Sequence, residues 1–337
     1  MRDARALAAA LADPVSVLSF SSDDWTSLLA IARAERLDGS LAFRLADLPL
    51  PPVVLRALED ARAQAEFGQT QALWEVEMAR RVLAPIGIAP ILLKGSAFAF
   101  ARLPAGIGRL VGDLDILVPR DRIDDAEAAL LAAGFEWVKN DDYTQLYYRR
   151  WMHELPPLVH RERGSMIDVH HTILPPTARR TPDAAALIGD SIEIAPSLRI
   201  LSPPDMIIHA VAHLLADGDL AGGLRNLWDI DRLLRLFAAS ADFWKALERR
   251  AALHEMREPL GLALRLADRI FATPVEPRLA GYDRMRDGLF VRRLLARDGW
   301  GRPTRPINRL GFYVRSHWMR MPPLMLARHL WIKARAT

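Results

Sequence analysis

Two aspartates in one apolar strand constrain this chain more than any other feature of its sequence. In Asp113-Leu114-Asp115-Ile116-Leu117-Val118 the run of Leu, Ile and Val predicts a strand. Successive strand side chains point to opposite faces, so Asp113 and Asp115 share one face and Leu114 and Ile116 the other. Two carboxylates about 5–6 Å apart repel by roughly 3 kcal/mol at an effective dielectric near 20. That cost favours a bound cation, and oxygen ligands select the hard ions Mg²⁺ or Mn²⁺, which bring substrate phosphates with them. By this reasoning Asp113→Ala or Asp115→Ala leaves the cation-free protein folded or even stabilised.

The strand has an expected neighbour upstream. Ile91-Leu92-Leu93, bounded by Pro90 and by Lys94-Gly95-Ser96, reads as a short strand followed by a tight turn. Gly95 lets the backbone turn and approach a ligand closely. Ser96 is the expected N-cap of a helix over 96–103, whose free N–H groups suit a phosphate. Lysine is confined to Lys94, Lys139, Lys245 and Lys333, so a compact ammonium at the end of a buried strand stands out. Sixteen residues separate Ser96 from Asp113, and they end in a glycine-rich loop, 104–112, that carries Arg109.

A strand, Gly-Ser, a helix and an Asp-x-Asp strand, in that order, resemble the nucleotidyltransferase superfamily of the DNA polymerase β type. The fuller run, Leu92-Leu93-Lys94-Gly95-Ser96 ahead of Gly112-Asp113-Leu114-Asp115-Ile116-Leu117-Val118, is similar to a narrower bacterial group, the uncharacterised nucleotidyltransferases. The likeness extends over residues 75–240. It implies an α+β fold: a polymerase β-like core of mixed sheet and helices, flanked by N-terminal helices and a C-terminal helical domain. It also implies a third carboxylate on a strand adjoining the Asp-x-Asp strand. Asp168 and Glu193 both have β-branched apolar flanks, but Glu193 sits in a shorter run ended by Pro196, so Asp168 takes the role. The resemblance thus assigns catalysis and metal binding to Asp113, Asp115 and Asp168, and nucleotide contacts to Lys94, Gly95, Ser96 and Arg109. The cofactor it implies is Mg²⁺ or Mn²⁺, and the reaction is transfer of an NMP from an NTP, ATP by default, to an acceptor hydroxyl with release of pyrophosphate. His170 shares the face of Asp168 and is either a neighbour of the metal site or a structural histidine.

Two rival functions follow from the same residues. One is a nucleotide-binding regulatory or interaction protein with this fold but no turnover. The other is a metal-dependent phosphohydrolase built on His209, His213, Asp229 and Asp231, although no adjacent His-Asp pair is present.

The length of 337 residues leaves room for two domains or one large one. Residues 1–86 read as an N-terminal helical segment, 87–200 as the core and 201–337 as a C-terminal helical domain. In the first, a helix starts at Asp23 behind Ser22 as N-cap, and 53–83 is one long helix or two joined near Gly68. In the core, strands are expected at 135–139, 143–150, 158–163 and 166–173, and a helix over 121–133 ending at Gly134. From 196 onward the chain reads as helical. There Asp205, His209, His213 and Asp217 recur every four residues as a polar stripe, either bonded to neighbouring helices or facing the cleft.

No cysteine is present, which excludes disulfides and thiolate metal sites. The start of the chain carries Asp3 and Asp13 and only a short Ala-Leu run, a poor signal peptide, and the apolar runs are broken by Pro or charge. No membrane span and a cytoplasmic location are therefore expected. The net charge of +4 is modest, yet twelve Lys or Arg from Arg286 onward face only Asp287 and Asp298. That segment is either a solvated basic face or an attraction for an acidic or nucleic-acid acceptor.

Overall fold

Ile91–Leu92 (β1) occupies the interior of a seven-stranded sheet in the computed structural model, which describes residues 3–217 and 219–320. The other strands are Asp113–Leu117 (β2), Phe135–Trp137 (β3), Leu158–His160 (β4), Met166–His170 (β5), Ile192–Ala195 (β6) and Leu198–Ile200 (β7). Their order across the sheet is β3-β4-β5-β2-β1-β7-β6. β2 runs antiparallel to β1 and parallel to β5, and β1 runs parallel to β7. The outer pairs β3/β4, β4/β5 and β6/β7 are antiparallel. The fold is α+β, with a mixed sheet as the sequence implies.

Helices surround this sheet. Four precede it: Arg5–Ala12, Ser22–Ala34, Asp38–Arg44 and the 32-residue Pro52–Leu83. The second is capped by Ser21, one residue before the expected Ser22: Ser21 accepts the Asp24 N–H while the Asp24 carboxylate accepts the Ser21 N–H. The long helix runs unbroken through Gly68, where a Cβ would come 3.0 Å from Leu110 Cδ1. Glycine there lets the 104–112 loop lie on the helix. The buried apolar side chains form one cluster from Ala4 to Phe312, joining all three stretches of the chain.

Other local expectations fail. Residues 143–150 are not a strand but belong to the helix Asp142–Trp151. Asp141 caps it by accepting the Thr144 N–H at 2.9 Å, and Tyr143, Tyr147 and Trp151 meet at helical spacing. The chain after 196 is not helical at once, because Ser197, at a φ of 56°, turns it into β7. β5 ends at His170 rather than reaching Ile173. The helix ending before Gly134 does form, as Ile123–Ala132, and Gly134 has a φ of 100°.

The polar stripe after Pro203-Pro204 is interrupted. The helix Pro203–Val211 gives way to a π-helical turn, Ala212–Asp217, which breaks the spacing of four. Asp205 bonds to Arg250, Ser202 and His254. The Asp217 side chain lies outside the described residues. So do Arg328, Lys333 and Arg335 of the basic segment, the Arg320 side chain, and Trp331. Within the described part, Arg286, Arg293, Arg297 and Arg315 bond to Glu258, Asp219, Glu35 and the Leu215 carbonyl. No helix among the described residues is long and apolar enough to cross a membrane.

Candidate active site

Lys94 starts the site by leaving the sheet. Its φ of 46°, uncommon for a residue with a side chain, swings the chain from β1 into the helix Lys94–Phe100. The Lys94 ammonium then reaches Asp115 Oδ1 at 2.7 Å. Ser96 is not the N-cap. The helix begins two residues before it, and the buried Ser96 hydroxyl donates to the Leu93 carbonyl at 3.1 Å. Gly95 sits where a Cβ would come 1.8 Å from Arg109 Nη1. Arg109 itself is buried, with Nε 3.0 Å from Asp229 Oδ2. The arginine expected at the nucleotide thus ties the 104–112 loop to the helix Gly223–Phe237.

Three carboxylates meet beside this turn. β2 and β5 pair in register, with Asp115 opposite Asp168 and Asp113 opposite Met166. Asp113, Asp115 and Asp168 each offer a ligand oxygen within 4.8 Å of the others. Their surroundings differ. Asp113 is exposed, Asp115 is buried and Asp168 is half-buried. Burial alone would raise the Asp115 carboxyl, but the Lys94 ammonium and His170, whose Nε2 lies 3.1 Å away, hold it well below the usual carboxylate range. Lys94 in turn is raised, because Asp115 outweighs the burial that would lower it. At Asp168 the balance is the reverse. Burial first, then the charges of Asp115 and Glu154, push it up to about 7, and its buried Oδ1 has no hydrogen-bond partner among the described residues.

His170, buried at the end of β5, links Asp115 to Glu154. His209 is buried too. Burial, followed by the charges of Lys94, His213 and His170, drives its imidazole well below the ordinary value, so it sits within reach of the site's field as a neutral ring. His213 is half-buried on the π-helical turn. The rival set on the helical half is not assembled: Asp229 is paired with Arg109, and Asp231 with Arg232, Arg235 and Thr273.

A family model described as uncharacterised nucleotidyltransferase matches residues 21–272. The chain belongs to that family. Membership carries a general role in nucleotidyl transfer and a nucleotide substrate. No curated protein matches the chain. Among solved structures, it is similar to an antigenic nucleotidyltransferase-like protein from Paracoccidioides brasiliensis, with 16% identity and a TM-score of 0.32. That match covers 58% of this chain and 92% of the other.

In this member of the family a cleft of about 550 Å³ opens at Asp113, lined by the half-exposed Trp74 and by Glu75, Arg163 and Ser165. Two neighbours of the carboxylates were not singled out from the sequence. Glu154 pairs with His170 through a single antiparallel bridge, and its charge acts on Lys94, Asp168, His170 and Tyr148. The Tyr148 hydroxyl is pushed up to about 12 by burial, Glu154 and Asp168. Neither residue stands in a motif. The local signal was the pair His153-Glu154 shortly before Pro156-Pro157.

Proposed function

We propose that this chain is a Mg²⁺-dependent nucleotidyltransferase that moves an NMP from an NTP, ATP by default, to an acceptor hydroxyl and releases pyrophosphate. The observation that carries this reading is the convergence of Asp113, Asp115 and Asp168 from two paired strands. The donor set fits a hard dication: all three ligands are carboxylate oxygens, and Asp168 Oδ1 is a buried acceptor with nothing described to fill it. Bound there, Mg²⁺ or Mn²⁺ would neutralise charge on the phosphate oxygens and the leaving pyrophosphate.

The chain's own residues divide the remaining work. Lys94 and His170 hold Asp115 ionised and fix its orientation. Asp168, opposite Asp115 on the neighbouring strand, completes the ligand set or serves as the general base that takes the acceptor hydroxyl's proton. The triphosphate lies against the turn at Gly95 and Ser96. Arg109 serves that turn indirectly, by packing on Gly95 from within while Asp229 anchors it. In this scheme residues 87–200 carry the chemistry, and the flanking helical stretches brace it.

Calorimetric titration with each NTP plus Mg²⁺ or Mn²⁺, alongside pyrophosphate release, tests the proposal on wild type and Asp113→Ala. Metal-dependent binding and turnover, both lost in Asp113→Ala, are expected. Binding without pyrophosphate release transfers the site to a regulatory nucleotide-binding protein, and absence of NTP binding by folded protein refutes the reading.

A further inference from the structure

The segment leading into β4 continues alongside β5 past the end of the sheet. Leu155 donates to the Val169 carbonyl and His171 to the His153 carbonyl, each at 2.9 Å, and Glu154 bridges to His170. This pairing gathers three side chains. Glu154 Oε2 lies 3.4 Å from His170 Nδ1 and 3.8 Å from His153 Nε2, and one ligand atom of each residue lies within 4.8 Å of the others. His153 and His170 are buried, and the Glu154 side chain is only 16% exposed.

We infer that His153, Glu154 and His170 form a second metal site, for a transition-metal dication such as Zn²⁺, separate from the three aspartates. Ligand spacing is the first support. Ligands about 2.0–2.1 Å from a tetrahedral ion lie roughly 3.3–3.4 Å from one another, close to the separations around Glu154. The second support is His170, 97% buried, whose Nδ1 has no hydrogen-bond partner among the described residues and is aimed at Glu154. Its other nitrogen, Nε2, is 3.1 Å from Asp115 Oδ1. Donation from Nε2 to that carboxylate leaves the Nδ1 lone pair free to ligate, the carboxylate–histidine–metal arrangement that fixes the tautomer of a metal-binding imidazole. The third support is donor chemistry. Two imidazoles and one carboxylate suit a borderline ion, whereas Asp113, Asp115 and Asp168 offer oxygen alone.

The two sites share no ligand, but they touch through the His170–Asp115 hydrogen bond. The transition metal would lock His170, and His170 would lock the orientation of Asp115. The inference goes beyond nucleotidyl transfer and does not require it.

The test strips the full chain with chelator and titrates Zn²⁺ in excess Mg²⁺, with elemental analysis after dialysis. Wild type and Asp113→Ala are expected to retain one equivalent. His153→Ala and Glu154→Gln are expected to lose it, with affinity down by at least about a hundredfold. Substituted Co²⁺ should give the intense visible bands of a tetrahedral ion in wild type and none in His153→Ala. Circular dichroism identifies folded variants, and if His153→Ala does not fold, the folded Glu154→Gln protein decides. No retained equivalent in folded wild type overturns the inference. So does an equivalent that Asp113→Ala removes and His153→Ala keeps.

Discussion

Replacing Asp168 by Asn should stabilise the cation-free protein at alkaline pH while leaving it no more stable at acid pH. The Asp168 carboxyl is raised from 3.8 to about 7 by burial and by Asp115 and Glu154. A raised acid binds more protons folded than unfolded between those two values, so its contribution to stability falls as pH rises through that window. Below about pH 4 both states are protonated and nothing is lost, and above about pH 7 the whole penalty applies. Three pKa units at about 1.4 kcal/mol each give a penalty on the order of 4 kcal/mol. Asn keeps the shape without the charge, at a cost of about 1–2 kcal/mol at every pH for an imperfectly bonded amide. The variant should therefore gain about 2–3 kcal/mol over wild type at pH 8 and lose about 1–2 kcal/mol at pH 4. Urea unfolding in EDTA at pH 4, 6 and 8 measures the difference. Saturating Mg²⁺ should close the gap at pH 8 by stabilising wild type alone, by about 2.7 kcal/mol at a hundredfold excess over Kd. A difference between the two proteins that does not change with pH would refute the argument.

Asp115→Ala should destabilise the fold by about 3–5 kcal/mol, because it strands the buried Lys94 ammonium and leaves the His170 N–H without its acceptor; thermal melting measures this. The same substitution at exposed Asp113 should stay within about 0.5 kcal/mol. Gly95→Ala drives a Cβ into the Arg109 guanidinium and should cost about 1–3 kcal/mol. A double-mutant cycle with Arg109→Ala should show that cost largely relieved, and strict additivity would disprove the contact.

Local periodicity made the centre of this protein readable. Alternation marks the strand at 113–118 and a short apolar run the strand before Lys94, whereas the place of Asp168 beside the aspartate strand came from the family resemblance. What resisted reading depends on distance or competition. Arg109 looked like a phosphate ligand because its partner, Asp229, lies 120 residues away. Asp115→Ala looked harmless because repulsion with Asp113 was visible in the sequence, while the Lys94 ammonium and the His170 ring that hold its carboxylate, 21 and 55 residues away, were not visible as its partners. Residues 143–150 carry strand-favouring tyrosines, yet the Asp141 cap and aromatic pairs at helical spacing won. β7 is three residues long, too short for any period to register, and only its place beside β1 makes it a strand.

The 104–112 loop meets three separate elements. Gly108 approaches Gly39 so closely that a Cβ on either would lie 2.4 Å from the other's carbonyl oxygen. Gln69 donates to the Gly106 and Arg109 carbonyls, and Asp229 holds the Arg109 side chain. Each residue so ordered costs about 1–2 kcal/mol of backbone entropy, and that cost falls on folding, before any nucleotide arrives. The wall beside Gly95 is thus ready at first encounter. Nucleotide capture at the triphosphate site proposed there should be a single-step association governed by collision rate, with no slow closing phase to limit it.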